Sequence, residues 1–166
     1  MEWVITIECR LSGQVLHRTD LATITRQETP LRPEHVGLTL RDSKTVLNVI
    51  QRAVVTDQVD VEAAAWATCP HCQHRKRIKD RRRRRLRTTF GQVEVSCRRY
   101  HRCTCRGGRL GIEWPLGDGM PTRATPEYAY LLAKWGARMP YRRATTLMRA
   151  LLPLRRADIS HESVRR

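Results

Sequence analysis

A chain of 166 residues with 32 Lys+Arg against 16 Asp+Glu carries a formal net charge of +16, a field that draws polyanions and makes nucleic acid the first partner to consider. With 40% hydrophobic residues, 5% aromatics and one Phe, it has thin material for one large core, which favours several small modules over a single large enzyme fold. Apolar runs such as 63–67 fall far short of the ~20 residues of a membrane helix, and Glu2 and Glu8 stand where a secretory signal would be basic and then apolar, so the expectation is a cytoplasmic protein with no membrane partner.

In chain order, Trp3, Ile5, Ile7, Cys9 and Leu11 alternate with Thr6, Glu8 and Arg10, the period-two pattern of a strand with one buried face. Ser12-Gly13 is a turn signal, and residues 14–25 return as a second strand before Pro30 and Pro33 mark a loop. Thr39 followed by Asp42 reads as a helix start, with a hydroxyl capping a free amide and a carboxylate in the positive first turn. A helix from Leu40 into the mid-fifties follows, with Leu47, Ile50 and Val54 on one stripe. Residues 1–67 form a hairpin-plus-helix module for packing or dimerisation, in which Cys9 is a strand residue and nothing more.

The charge is concentrated in residues 69–110, which hold 15 basic and 2 acidic side chains and five of the six cysteines. Cys69-Pro70-His71-Cys72 is a knuckle whose tight turn aims two thiolates at one point. Cys103-Thr104-Cys105 offers the other pair, because residues two apart project to the same side of an extended chain. Thirty residues separate the pairs, among them 86–97, which reads as a hairpin turning near Gly91 with Val93, Val95 and Cys97 alternating on its second strand. A lone hairpin is marginal in water. A structural Zn2+ held by Cys69, Cys72, Cys103 and Cys105 would clamp both its ends and supply the folding free energy that its core lacks. The alternatives are a disulfide framework, disfavoured in the cytosol, and a redox knuckle, which would need a βαβ context. Cys97 reads as an inward-facing hydrophobe, and His71, His74 and His101 as bystanders to a site that four thiolates complete.

Arg75, Lys76, Arg77, Lys79, Arg81, Arg82, Arg83, Arg84, Arg85 and Arg87 follow the first knuckle. Such a run is expected to lie outside any core, as a solvated loop or as a surface for backbone phosphates of double-stranded DNA, which confers affinity and salt dependence without sequence choice. Beyond Pro115 and Pro121 the chain becomes helical. Thr125-Pro126-Glu127 combines an N-cap, a first-turn Pro and a first-turn acid. Tyr128, Leu131, Leu132, Trp135 and Met139 form one stripe. After Pro140 come Tyr141, Ala144, Met148 and Leu151, and Ser160 caps a third helix. Three short helices outline a helix-turn-helix whose last helix would read the major groove.

Taken in order, Gly37-Leu38-Thr39-Leu40, Cys69-Pro70-His71-Cys72, Arg87-Thr88-Thr89-Phe90-Gly91-Gln92-Val93, Tyr100-His101-Arg102-Cys103-Thr104-Cys105, Thr125-Pro126-Glu127 with Ala133-Lys134-Trp135, and Ser160-His161-Glu162-Ser163-Val164-Arg165-Arg166 span nearly the whole chain. That succession resembles the amino-terminal region of ISKra-type insertion-sequence transposases; one departure is the run at 83–85, which is more basic than the family pattern, and a larger one is length. The resemblance implies that the tight second cysteine pair belongs to the zinc site. It also implies that Glu162 and Ser163 start the recognition helix and that Ser163, Arg165 and Arg166 contact the transposon ends. Family members continue into an RNase H-like domain. Its two-metal chemistry needs gathered carboxylates, and after residue 110 the acids are Glu113, Asp118, Glu127, Asp158 and Glu162, in turns and helix starts.

The expected fold is therefore α+β: a small hairpin-plus-helix module over 1–67, a zinc ribbon with an Arg-rich loop over 68–110, and a helix-turn-helix-like segment over 111–166 that is incomplete at its C-terminus. The expected function is binding of transposon ends, with no catalytic residue and no enzyme activity in a chain truncated before the catalytic domain. Its partners would be DNA and a second copy or a full-length transposase. The rival readings are a standalone regulator of transposition, or an RNA-binding zinc-ribbon protein.

Overall fold

The structure, a computed structural model, describes residues 1–27, 32–33, 36–105, 107, 110–118 and 122–159. Alternation at the amino terminus yields strands β1 (Glu2–Leu11) and β2 (Gln14–Thr25), antiparallel from the Glu2↔Thr25 pair to the Leu11↔Gln14 pair. Ser12 and Gly13 both take positive φ, at 50° and 82°, as a two-residue turn matched to strand twist requires. Two register shifts, after Ile5 and after Cys9, add local twist. The hairpin buries little: Ile24 is its one core residue among those described, while Trp3, Val4, Leu11, Val15 and Leu16 are exposed.

Helix α1 (Leu40–Trp66) starts at the anticipated cap. The Asp42 amide donates to Thr39 Oγ1 (3.1 Å), and the Thr39 amide donates to the Asp42 carboxylate (2.9 Å), closing a reciprocal box. Arg26 at the end of β2 pairs with the same carboxylate. The helix runs three turns beyond the expected mid-fifties end, to a length of ~40 Å at 1.5 Å per residue. The buried stripe also differs from the expected one. Leu47 and Val54 are exposed, and Val55, Val59 and Ala63 face inward. The i, i+4 spacing of those three carries the apolar face through the polar stretch 56–62, with no Gly or Pro to stop it.

Strands β3 (Ile78–Thr88) and β4 (Gly91–His101) form a second, longer-than-expected hairpin, and β5 (Ile112–Glu113) adds a short third strand beside β4. The basic residues from 79 to 87, anticipated as a loop, are strand. β4 supplies the reason. Its Val93, Val95 and Cys97 must be covered on one face and paired along the backbone, and the arginine run supplies the pairing while turning alternate side chains to water. That face packs with Leu86 against Val55 and Val59 of α1 and against Leu116 of α2 (Pro115–Asp118). Tyr100, 2% exposed, donates its hydroxyl to Ala63 O (2.9 Å). Gly91 has φ +116°, and a Cβ there would collide with the Asn48 carboxamide, whose Nδ2 donates to Phe90 O (2.8 Å). One core thus spans 55–116 and crosses the boundaries read from sequence at 67 and 110.

Helix α3 (Pro126–Gly136) begins at Thr125, whose hydroxyl accepts from the Tyr128 amide (3.4 Å), and α4 (Tyr141–Leu151) follows Pro140. Tyr128, Met148, Leu154 and Ile159 make a second core, and Tyr128 donates its hydroxyl to Asp158 O (2.9 Å). Backbone bonds from Arg87 N to Arg123 O (2.8 Å) and from Thr125 N to Arg87 O (2.9 Å) stitch this unit to the outer edge of β3. Lys44 of α1 donates to Arg149 O and Ala150 O at the end of α4, where a cation suits the helix dipole. The third helix anticipated from Ser160, with Glu162, Ser163, Arg165 and Arg166, lies outside the described residues. The described fold is α+β, with two small antiparallel sheets and four helices. None of these helices is long and apolar enough to cross a membrane.

Candidate metal centre and basic face

The first cysteine pair sits in a tight reversal directly after α1. Lys76 N donates to Ala67 O (2.8 Å) and Cys69 N to His74 O (2.9 Å), while Gln73 takes a left-handed φ of 56°. The amides of Cys72 and His71 donate to the Cys69 sulfur. The second pair follows the end of β4, where Arg102 N donates to Gly111 O (2.9 Å) and Gly107 N to Thr104 O (2.9 Å). Because the hairpin returns β4 to where β3 began, the pairs meet. Cys69 Sγ lies 3.8 Å from Cys105 Sγ and Cys72 Sγ 3.5 Å from Cys103 Sγ, and all four sulfurs lie within 4.8 Å of one another. Four sulfurs at ~2.3 Å from a common centre stand about 3.8 Å apart on a tetrahedron. The cluster is close enough to hold a metal ion.

The thiols are electrostatically unequal. Amides of Cys72 and His71 pull Cys69 down to about 6. The Cys103 thiol, burial and the remaining cysteines push Cys105 up to about 12. For Cys72 the His74 amide pulls down, but Cys103, burial and Cys69 together raise it. Four crowded thiols resist successive ionisation, and a bound cation relieves that by holding all four as thiolates. His71, His74 and His101 are not part of the cluster. Cys97 is buried beside Val93 and Val95, and burial raises its thiol.

The ladder pairs Arg81 with Arg98, Arg83 with Ser96, Arg85 with Glu94 and Arg87 with Gln92, so these arginines share the face turned away from α1. Arg81, Arg83, Arg85 and Arg87 are exposed, as are Arg75, Arg77, Lys79 and Arg82. Glu94 lies between two of them, 3.4 Å from Arg83 and 3.0 Å from Arg85. Two of the sequence-derived contacts point elsewhere. Arg84, 8% exposed, donates to Leu116 O and to Thr122 O (2.9 Å) and lies 5.4 Å from the Trp114 ring. An arginine from the run therefore does sit in the core, because two carbonyls and an aromatic face replace its water. Lys76 pairs with Glu113 (2.5 Å) over the Trp66 ring (5.4 Å). Ser163, Arg165 and Arg166 fall outside the described residues.

Arg98, half-buried, lies on the same face and was not singled out from sequence, although its parity with Ser96 and Glu94 marks it. Arg123 also escaped notice; it lines, with Arg83, Arg85 and Trp114, a polar hollow of about 620 Å³ beside β3. Asp80 is the one acid on β3. Hydrogen bonding to Arg99 holds its carboxyl below the usual carboxylate range. No family model, no curated protein and no solved structure matches this chain.

Proposed function

We propose that the chain is the end-binding region of an ISKra-type insertion-sequence transposase, built on a zinc ribbon. One observation carries the reading: four thiols converge at the open end of a hairpin whose outer face is a row of exposed arginines. Four sulfur ligands favour zinc or an iron–sulfur cluster. Zinc accounts for the site without redox chemistry, and separations of 3.5 Å and 3.8 Å suit it. A closed four-thiolate site leaves no open position, so the metal serves folding. Cys69, Cys72, Cys103 and Cys105 would hold it, and Cys69, already drawn toward thiolate, is the natural first ligand.

Arg81, Arg83, Arg85 and Arg87 then face DNA phosphates as a row about 6.8 Å apart along β3, two residues per step, with Arg98 of β4 beside Arg81. Arg84 and Lys76 are positioning residues that hold the ribbon to α2 and β5. Helices α3 and α4 are the first two of a helix-turn-helix, and Ser163, Arg165 and Arg166 beyond them contact the transposon ends.

The test is titration of zinc-loaded full chain against duplexes of its element's terminal repeats and a scrambled duplex, over a range of salt. Preference for the ends by tenfold, ~1.4 kcal/mol, is expected. Replacing Arg81, Arg83, Arg85 and Arg87 with Gln should weaken binding to both duplexes alike and reduce the log–log salt slope by about 3 to 4. An unchanged slope overturns the basic face as the contact, and equal binding of wild type to both duplexes overturns end recognition.

A further inference from the structure

Among the described residues, ligating atoms converge at one other place: Cys9 of β1, His17 of β2 and Asp57 of α1, with one donor atom from each within 4.8 Å of the others. Cys9 and His17 are direct partners across the β1–β2 ladder, so both side chains project from the same face. That face meets α1, where His17 Nε2 lies 2.9 Å from Asp57 Oδ1. The other ring nitrogen, Nδ1, lies 3.4 Å from Thr19 Oγ1. An oxygen partner on the second nitrogen is how metal-binding imidazoles are oriented.

We propose that Cys9, His17 and Asp57 form a second zinc site, with three protein ligands and water as the fourth, that fastens the β1–β2 hairpin to α1. Thiolate, imidazole and carboxylate together suit zinc and not magnesium or calcium. Two nitrogen or oxygen ligands at ~2.05 Å stand about 3.3 Å apart on a tetrahedron, so His17 and Asp57 need open by only a few tenths of an ångström. The His17 and Asp57 side chains are 42% and 22% exposed, which leaves the fourth position open to water. A cleft of about 1000 Å³, bordered by Cys9, Leu11, Val54 and Asp57, gives an ion access from the protein side. The hairpin also needs such a fastening. Its apolar burial is slight, and two polar pairs join it to α1, His17–Asp57 and Arg26–Asp42.

The site is independent of the DNA-binding reading and is tested without DNA. Full-length protein, stripped by chelator under reducing conditions, is titrated with Co2+ and read by its visible and near-ultraviolet absorption. Two equivalents should bind. The first carries the intense sulfur-to-cobalt charge transfer of four thiolates, and the second, weaker in affinity, that of one. His17→Gln and Asp57→Asn should each lower the stoichiometry from two to one and leave the four-thiolate spectrum intact, which also reports that the fold survives. Cadmium NMR of the unmutated protein, which needs no variant, should show two resonances, one in the all-sulfur region and one well upfield. A single resonance, or a stoichiometry that His17→Gln does not lower, overturns the proposal.

Discussion

The two hairpins of this chain are nearly equal in length, with 10 and 12 residues in one and 11 and 11 in the other, yet their environments are opposite. β1–β2 is the more apolar in sequence and the more exposed in structure. β3–β4 contains five consecutive arginines and buries Leu86, Val93, Val95 and Cys97 against α1. Charge per residue therefore does not decide which strand goes inside. The decision lies with the partner strand's pattern, with a helix long enough to cover it, and with anchors such as Arg84 that make an inward charge tolerable.

The largest expected difference between the hairpins comes from metal removal. Stripping the proposed zinc, or replacing Cys72 with Ser, withdraws a term on the order of 10 kcal/mol from β3–β4, and the cooperative thermal transition followed by circular dichroism should be lost. A transition unmoved by either treatment would show that burial alone holds the second hairpin. Side-chain truncation is the next sharpest probe. Leu86→Ala should cost about 2–5 kcal/mol in urea unfolding, whereas Val15→Ala, at an exposed site of the first hairpin, should stay within about 0.5 kcal/mol. Equal losses would erase the contrast.

A loss smaller than that of Leu86→Ala tests the joint between them, the cap of α1. Thr39→Ala should cost about 1 kcal/mol at neutral pH. The Thr39 hydroxyl and amide, and then Arg26, hold the Asp42 carboxyl below its ordinary value. A depressed carboxyl contributes stability that is fully present above the unfolded value of about 3.9 and is lost as pH falls through the lower folded value. Wild type and Asp42→Asn should therefore differ in stability at neutral pH and converge in strong acid. A difference that persists there would mean that Asp42 acts through packing and not through its charge.

Sequence patterns located what is local. The first hairpin with its Ser12-Gly13 turn, the caps at Thr39 and Thr125, and the inward direction of Cys97 all follow from spacing over a few residues. The convergence of Cys69, Cys72, Cys103 and Cys105 also followed, because a hairpin between two pairs must return its ends to one place. What escaped is what depends on a distant partner. The end of α1 is set by the sheet it covers and not by a stop signal. β5 and α2 are too short to show a period. The strand at 81–85 has no alternation to see, since outward and inward positions carry the same residue. Cys9, His17 and Asp57 are brought together by three elements, and no spacing announces them.

That last strand has a consequence in the currency of information. A run of identical residues carries no message about its own alignment: shifted by one, Arg83 or Arg85 would occupy the place of Arg84, and chemistry would offer little objection. A one-residue slip nevertheless turns a whole strand over. Alignment must therefore be written outside the run. At one end it is written by Gly91, which admits no side chain against Asn48, and at the other by Cys69 and Cys72, which must find their counterparts. The arginines are thus interchangeable letters in a word spelled by its first and last characters. Substitutions at the turn or the knuckle should misplace every positive charge between them without altering one.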